Sequence, residues 1–141
     1  MSVITCTRRL QFCSGHRVMG HENKCRNMHG HNYVIYITAE AKDLDSLGRV
    51  IDFSVLKDKF GTWIDTYFDH GFIVYEKDEE VLAALAEVPD TKVYLMPTNP
   101  TAENMAKYLL DKSEEILDSK DVKVTMIKLY ETENCFAVAT V

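Results

Sequence analysis

The chain has 141 residues, 46% hydrophobic and 27% charged, the balance of one globular domain (1–141) with a sizeable core rather than of a disordered or fibrous chain. Sixteen lysines and arginines face 22 acidic residues for a net charge of -6; the basic residues are scattered, which argues against nucleic acid as a partner. No window approaches the roughly 18–20 apolar residues of a membrane helix, the opening MSVITCTRRLQFC lacks signal-peptide order, and the four cysteines read as free thiols, so a cytoplasmic protein is expected.

In chain order, residues 3–14 mix β-branched, aromatic and polar residues, and NYVIYITAEAK (32–42) sets Tyr33, Ile35, Ile37, Ala39 and Ala41 at a period of two. Both predict strands with one buried face. Between them GHRVMGHENKCRNMHG (15–30) is polar and carries three histidines, with His31 following at once; it reads as a loop that carries function.

From Asp52, a candidate cap, apolar residues recur at Phe53, Leu56, Phe60, Ile64 and Tyr67, which predicts a helix over 53–67. EEVLAALAEV (79–88) has a shorter helical pattern and KVYLM (92–96) reads as extended. TNPTAENMAKYLLDKSEEIL offers Thr98 and Asn99 as caps and Pro100 in the first turn, then Ala102, Met105, Ala106, Leu109 and Ile116 on one face. Residues 121–131 and 135–141 predict a closing hairpin. With no βαβ alternation in this order, the expectation is an α+β domain with helices on one face of an antiparallel sheet. Such a sheet leaves a face or edges that an oligomer can cover.

The chemistry concentrates in the histidines. His29 and His31 form an H-x-H at a strand start, so their imidazoles point to one side, and a hairpin brings His16 back opposite them. Three imidazoles with one open position is the donor set of catalytic zinc; His21 is the substitute ligand. Cys25 has two readings: a fourth ligand closing a structural site, or a thiol activated by the metal and by Lys24 and Arg26. Cys6, Cys13 and Cys135 lie in apolar strand patterns as inert cysteines. Asp69 and His70 read either as a helix C-terminal cap, which spacing alone favours, or as a carboxylate orienting an imidazole for proton transfer. Glu131, at a strand end, has the chemistry to accept paired hydrogen bonds from a guanidine-like edge.

His16, C-R-N-M-H-G-H at 25–31, D-H at 69–70, N-P-T-A-E-N at 99–104 and Y-E-T at 130–132 together resemble the 6-pyruvoyl-tetrahydropterin synthase superfamily, in matching order over essentially the whole chain. The resemblance implies a tunnelling fold (T-fold) of a four-stranded antiparallel sheet with two helices on one face. It also implies a homohexamer built from two trimers, with active sites between subunits. It assigns His16, His29 and His31 to zinc, Cys25 to the general base rather than a fourth ligand, Asp69 and His70 to the proton relay, and Glu131, with Thr101 nearby, to a small-molecule pterin substrate. The three residues between Cys25 and the H-G-H resemble the branch that forms 6-carboxy-tetrahydropterin from 7,8-dihydroneopterin triphosphate on the way to 7-deazaguanines such as queuosine. Arg26 and Met28 depart from the glycine and leucine often found at those positions, and residues 72–96 are longer than in compact members.

Overall fold

The computed structural model describes residues 2–141. Six strands form one mixed sheet in the order β4-β3-β1-β2-β5-β6. Its centre is the long hairpin of β1 (Thr5–His16) and β2 (His29–Ala41), paired antiparallel along its whole length from Thr5 opposite Glu40 to His16 opposite His29. The segment expected as a loop over 15–30 is therefore shorter, because the strands absorb both of its ends. β5 (Val122–Thr132) pairs antiparallel with β2, and β6 (Cys135–Thr140) pairs antiparallel with β5.

The expectation of a four-stranded, wholly antiparallel sheet is corrected. β3 (Gly71–Tyr75), helix α3 (Glu79–Ala86) and β4 (Val93–Met96) make a βαβ unit whose strands lie parallel to one another and to the end of β1. The sequence reading found α3 and β4 but not β3, because the five residues GFIVY follow D-H directly and read as the tail of a turn.

Alternation assigns the two faces. Phe12, Tyr33, Ile35, Ile37, Ile127 and Leu129 belong to the main core together with residues of the helical run after Asp52 and of α4 (Ala102–Leu117). On β3, Ile73 joins this core, whereas Val74 and Phe72 pack with Val81 and Leu85 of α3 in a separate cluster. Since successive strand residues point to opposite faces, α3 covers the reverse side of the sheet.

The helix expected over 53–67 is α1 (Phe53–Val55), a π-helical stretch Leu56–Gly61 and α2 (Thr62–Tyr67) in one continuous run. Its core residues are Leu56, Phe60, Ile64 and Phe68, every fourth position. A 3.6-residue period would rotate such a series steadily off the core, and the wider π turn takes up that drift. Phe53 and Tyr67, expected on the buried face, are exposed. In α4 the cap is Thr101, not Thr98 or Asn99; its side chain accepts from the Asn104 N–H at 3.1 Å, and Pro100 precedes the cap. Ile116 is only partly buried, and Leu110 and Leu117 complete the inner stripe. Among the described residues no helix is long and apolar enough to cross a membrane.

Candidate functional site

The inward stripe of the central hairpin changes chemistry at its end. Phe12 and Ser14 lead to His16 on β1, and Tyr33 leads back to His31 and His29 on β2, so the hydrophobic core ends in three imidazoles. Their ring centroids lie 4.7 to 5.2 Å apart. Beneath them the Tyr33 ring stacks on Phe12 and meets His16 and His31 edge-on.

Two of the imidazoles are held through one nitrogen. His16 Nδ1 is 2.7 Å from the Pro100 carbonyl and His29 Nδ1 is 2.6 Å from the Asn27 carbonyl. A carbonyl only accepts, so each Nδ1 carries a proton and leaves Nε2 as the atom that can bind an ion, the kind of second contact that orients histidines at metal sites. The buried Nε2 atoms of His16 and His31 make no well-aligned hydrogen bond among the described residues, although the Glu131 carboxylate stands beside the latter. Burial drives His16 down to about 4, against the pull of the Pro100 carbonyl and with help from His29 and His31. Burial also lowers His31, against the opposing charge of Glu131. Neutral imidazoles are the form that binds metals.

Glu131 joins this group. One donor atom from each of His16, His29, His31 and Glu131 lies within 4.8 Å of every other, and Glu131 Oε1 is 3.0 Å from His31 Nε2. Val34 pairs with Tyr130, which sets Glu131 alongside the inward stripe of β2; the register slips at Glu131 in the hairpin with β6, a bulge of the kind that re-aims a side chain. A buried His16 Nε2 without a partner, three clustered imidazoles and a carboxylate at the rim fit a divalent cation such as zinc.

The Asp69 and His70 pair is docked on the edge of β1. Asp69 Oδ1 accepts from the Cys13 N–H at 2.9 Å, and the His70 N–H donates to the Cys13 carbonyl at 2.7 Å. Asp69 Oδ2 is 2.7 Å from His70 Nδ1. Partial burial works against the Asp69 carboxylate, but the Cys13 amide, His70 and Lys92 hold it below its usual range. The imidazole is open to solvent and lines a cleft of about 690 Å3 with His29, His31, Cys13, Phe72 and Lys92. A second cleft of about 670 Å3 holds Glu131, Tyr36, Tyr130 and Arg9. Gly30, His31 and Asn32 line both, so His31 stands where the two clefts meet, with His29 in the first cleft and His16 buried beside them.

Other candidates lie elsewhere. Cys25 sits half-buried in a short 3-10 turn, Lys24–Arg26, capped by Asn23. It is not among the clustered donors, which argues against a closed four-ligand site. His21 receives the Asn23 N–H on Nδ1 and stays outside the cluster. Thr101 caps α4, one residue after the carbonyl that holds His16. All four cysteines are free. The sequence reading missed Lys92, Asn32 and the Pro100 carbonyl, which only the folded chain brings to the site. It passed over Cys13 as an inert strand cysteine, whereas its exposed thiol donates to Asn32 Oδ1 within the first cleft.

Comparison with known proteins places this geometry. The family model described as 6-pyruvoyl tetrahydropterin synthase matches residues 5–140. The 6-carboxy-5,6,7,8-tetrahydropterin synthase of Rickettsia bellii is 45% identical over 135 residues, 95% of this chain and 98% of that one. An uncharacterised protein of Wolinella succinogenes superposes with a TM-score of 0.86 at 23% identity, over 99% of both chains. The 6-pyruvoyl tetrahydropterin synthase of Caenorhabditis elegans superposes with a TM-score of 0.72 at 23% identity, over 100% of this chain and 97% of that one.

Proposed function

From the premise that the chain belongs to the 6-pyruvoyl tetrahydropterin synthase family, we propose that it is a cytoplasmic zinc-dependent carbon–carbon lyase. It converts 7,8-dihydroneopterin triphosphate to 6-carboxy-5,6,7,8-tetrahydropterin, acetaldehyde and triphosphate, a step toward 7-deazaguanines such as queuosine. The observation that carries this reading is the cluster of His16, His29 and His31 with Glu131, whose His31 stands at the junction of two clefts, one lined by His70 and the other by Glu131. The carboxy-forming branch follows from the relatives at 44–45% identity and from the spacing of Cys25 and the H-G-H.

His16, His29 and His31 would hold the ion, and a divalent cation such as zinc there would supply a Lewis acid that lowers the cost of charge developing when a proton leaves carbon. Glu131 anchors the pterin through the paired N–H groups of its 2-amino edge, with Thr101 in the binding segment. Cys25 takes the proton from carbon, and His70, oriented by Asp69, returns one. The active unit is a homohexamer, a dimer of trimers, whose neighbouring subunits complete the clefts.

The test is mass spectrometry of products after the zinc-loaded protein meets 7,8-dihydroneopterin triphosphate. 6-Carboxy-tetrahydropterin with acetaldehyde is the expected result. 6-Pyruvoyl-tetrahydropterin would move the chain to the sister reaction, and unchanged substrate would leave a zinc-stabilised domain without this activity.

A further inference from the structure

The βαβ unit over 71–96 has no part in the chemistry above, yet it is fastened to both sides of the site. On one side Arg17, the residue after His16, grips Asp78 through two nitrogens at 2.7 and 2.6 Å. Asp78 is buried and caps α3, so a bidentate ion pair ties the His16 end of β1 to that helix.

On the other side Lys92, at the entry to β4, donates from Nζ to the Asp65 carbonyl at 2.8 Å and to the Asp69 carbonyl at 2.5 Å. These carbonyls belong to the last turn of α2 and the turn beyond it, where helix geometry leaves acceptors without partners and a cation is favoured. The Lys92 carbonyl in turn receives the Phe72 N–H at 2.9 Å. Its stem and carbonyl crowd Gly71, where an added Cβ would stand 3.0 Å from both.

Between these anchors His70 takes a left-handed backbone conformation, φ 60, which costs a non-glycine residue about 1–2 kcal/mol. Its side chain is 81% exposed, so little packing holds the imidazole. The turn keeps its shape through what surrounds its backbone, and among the described residues Lys92 is the side chain that ties Asp69 to both α2 and β4.

We propose that Lys92 is a positioning residue for the Asp69 and His70 pair. Its ammonium ties off the carbonyls at the end of α2 and holds the left-handed turn that aims His70 into the cleft. The βαβ unit thereby sets the geometry of proton transfer. The inference rests on the reading above that this pair moves protons; the Lys92 ammonium is engaged by the two backbone carbonyls.

Lys92→Met keeps the stem and removes the ammonium, and Lys92→Arg restores a cation. The first readout needs no turnover: long-range proton–nitrogen correlation of His70 at mildly alkaline pH reports which ring nitrogen holds the proton. The parent is expected to carry it on Nδ1, facing Asp69. Lys92→Met moves population to Nε2, and Lys92→Arg returns it. The second readout is kinetic, with kcat falling roughly tenfold to a hundredfold at unchanged KM and metal content. Combined with Asp69→Asn, Lys92→Met adds little further loss.

A Lys92→Met protein with the parent tautomer overturns the proposal, whether or not its melting temperature or kcat falls. A shifted tautomer with unchanged kcat upholds the positioning and instead removes the pair from the proton relay. If Lys92→Met does not fold, Lys92→Gln, which keeps part of the stem and one donor, carries the same tautomer measurement.

Discussion

His16 and Pro100 are 84 positions apart in the chain, yet the ring of one donates from Nδ1 to the backbone carbonyl of the other at 2.7 Å. This bond joins the end of β1 to the segment that starts α4, and it leaves His16 Nε2 buried and free for an ion. The approach is fixed by a second link nearby: the Asn99 side chain exchanges two hydrogen bonds of 2.9 Å with the backbone of Met19. The N-P-T segment thus pins the loop after β1 and orients a histidine of the candidate metal site.

The depressed value of His16 carries a stability consequence for the metal-free protein. Above its ordinary value of 6.5 the residue is neutral whether folded or unfolded. Below that the unfolded chain takes up the proton and the folded one resists until about 4, so stability falls with pH across this window, by about 3 kcal/mol at most. Denaturant midpoints of metal-free protein should drop between pH 6.5 and 4, and His16→Gln should flatten the slope. A parent profile flat through that window would refute the assignment.

Glu131 stands both beside the histidines and in the second cleft, and Glu131→Gln separates the two roles. As a pterin anchor it loses a charge-assisted bond, weakening pterin affinity by about 1.5–3 kcal/mol, roughly tenfold or more, with zinc stoichiometry intact. Loss of zinc with pterin affinity retained would instead make Glu131 a ligand. Fluorescence titration with a pterin and metal analysis on the same sample give both numbers.

Thr101→Ala tests a residue that the family resemblance ties to substrate and the fold ties to a helix. The cap it provides to α4 is worth about 1 kcal/mol, and Thr101→Ser should restore it. Calorimetry should show this loss. Weaker pterin binding beyond what Thr101→Ser shows would add direct contact with substrate, and unchanged stability would count against the cap.

Gly15 lies opposite Phe72 where β3 joins β1, and a Cβ there would sit 2.4 Å from the Phe72 ring. Gly15→Ala should cost about 1–3 kcal/mol as overpacking, and Phe72→Leu in the same chain should recover part of it. Equal stability of Gly15→Ala and the parent would mean that the ring moves away at no cost.

Much of this was legible in the sequence because it was local. The period-two run from Tyr33 to Ala41 marked β2, the closing hairpin was bounded by T-E-N, and His29 and His31 on one strand had to face the same way. What was not legible depended on distant register. β3 was hidden because its five residues carry no alternation of their own and gain a place only by pairing with Ser14 and Gly15 of β1 on one side and with β4 on the other. The fourfold spacing of Leu56, Phe60, Ile64 and Phe68 was read as an ordinary helix that included Phe53 and Tyr67, since the π turn shows only in three dimensions. The meeting of Glu131 with His31, 100 residues away, follows from how β5 pairs with β2, and nothing in Y-E-T alone encodes it.

Cys25→Ala addresses the thiol. The general-base role predicts retained zinc and a turnover loss of roughly 100-fold to 10,000-fold; a variant that loses zinc would place the sulfur on the metal instead.

The most direct measurement is zinc K-edge X-ray absorption of the loaded protein. An open centre of three imidazoles predicts a first shell of nitrogen and oxygen alone, at about 2.0–2.1 Å, whose oxygen component changes when substrate is added. A sulfur scatterer at about 2.3 Å, unaltered by substrate, would show a closed site with Cys25 as its fourth ligand and would contradict the account.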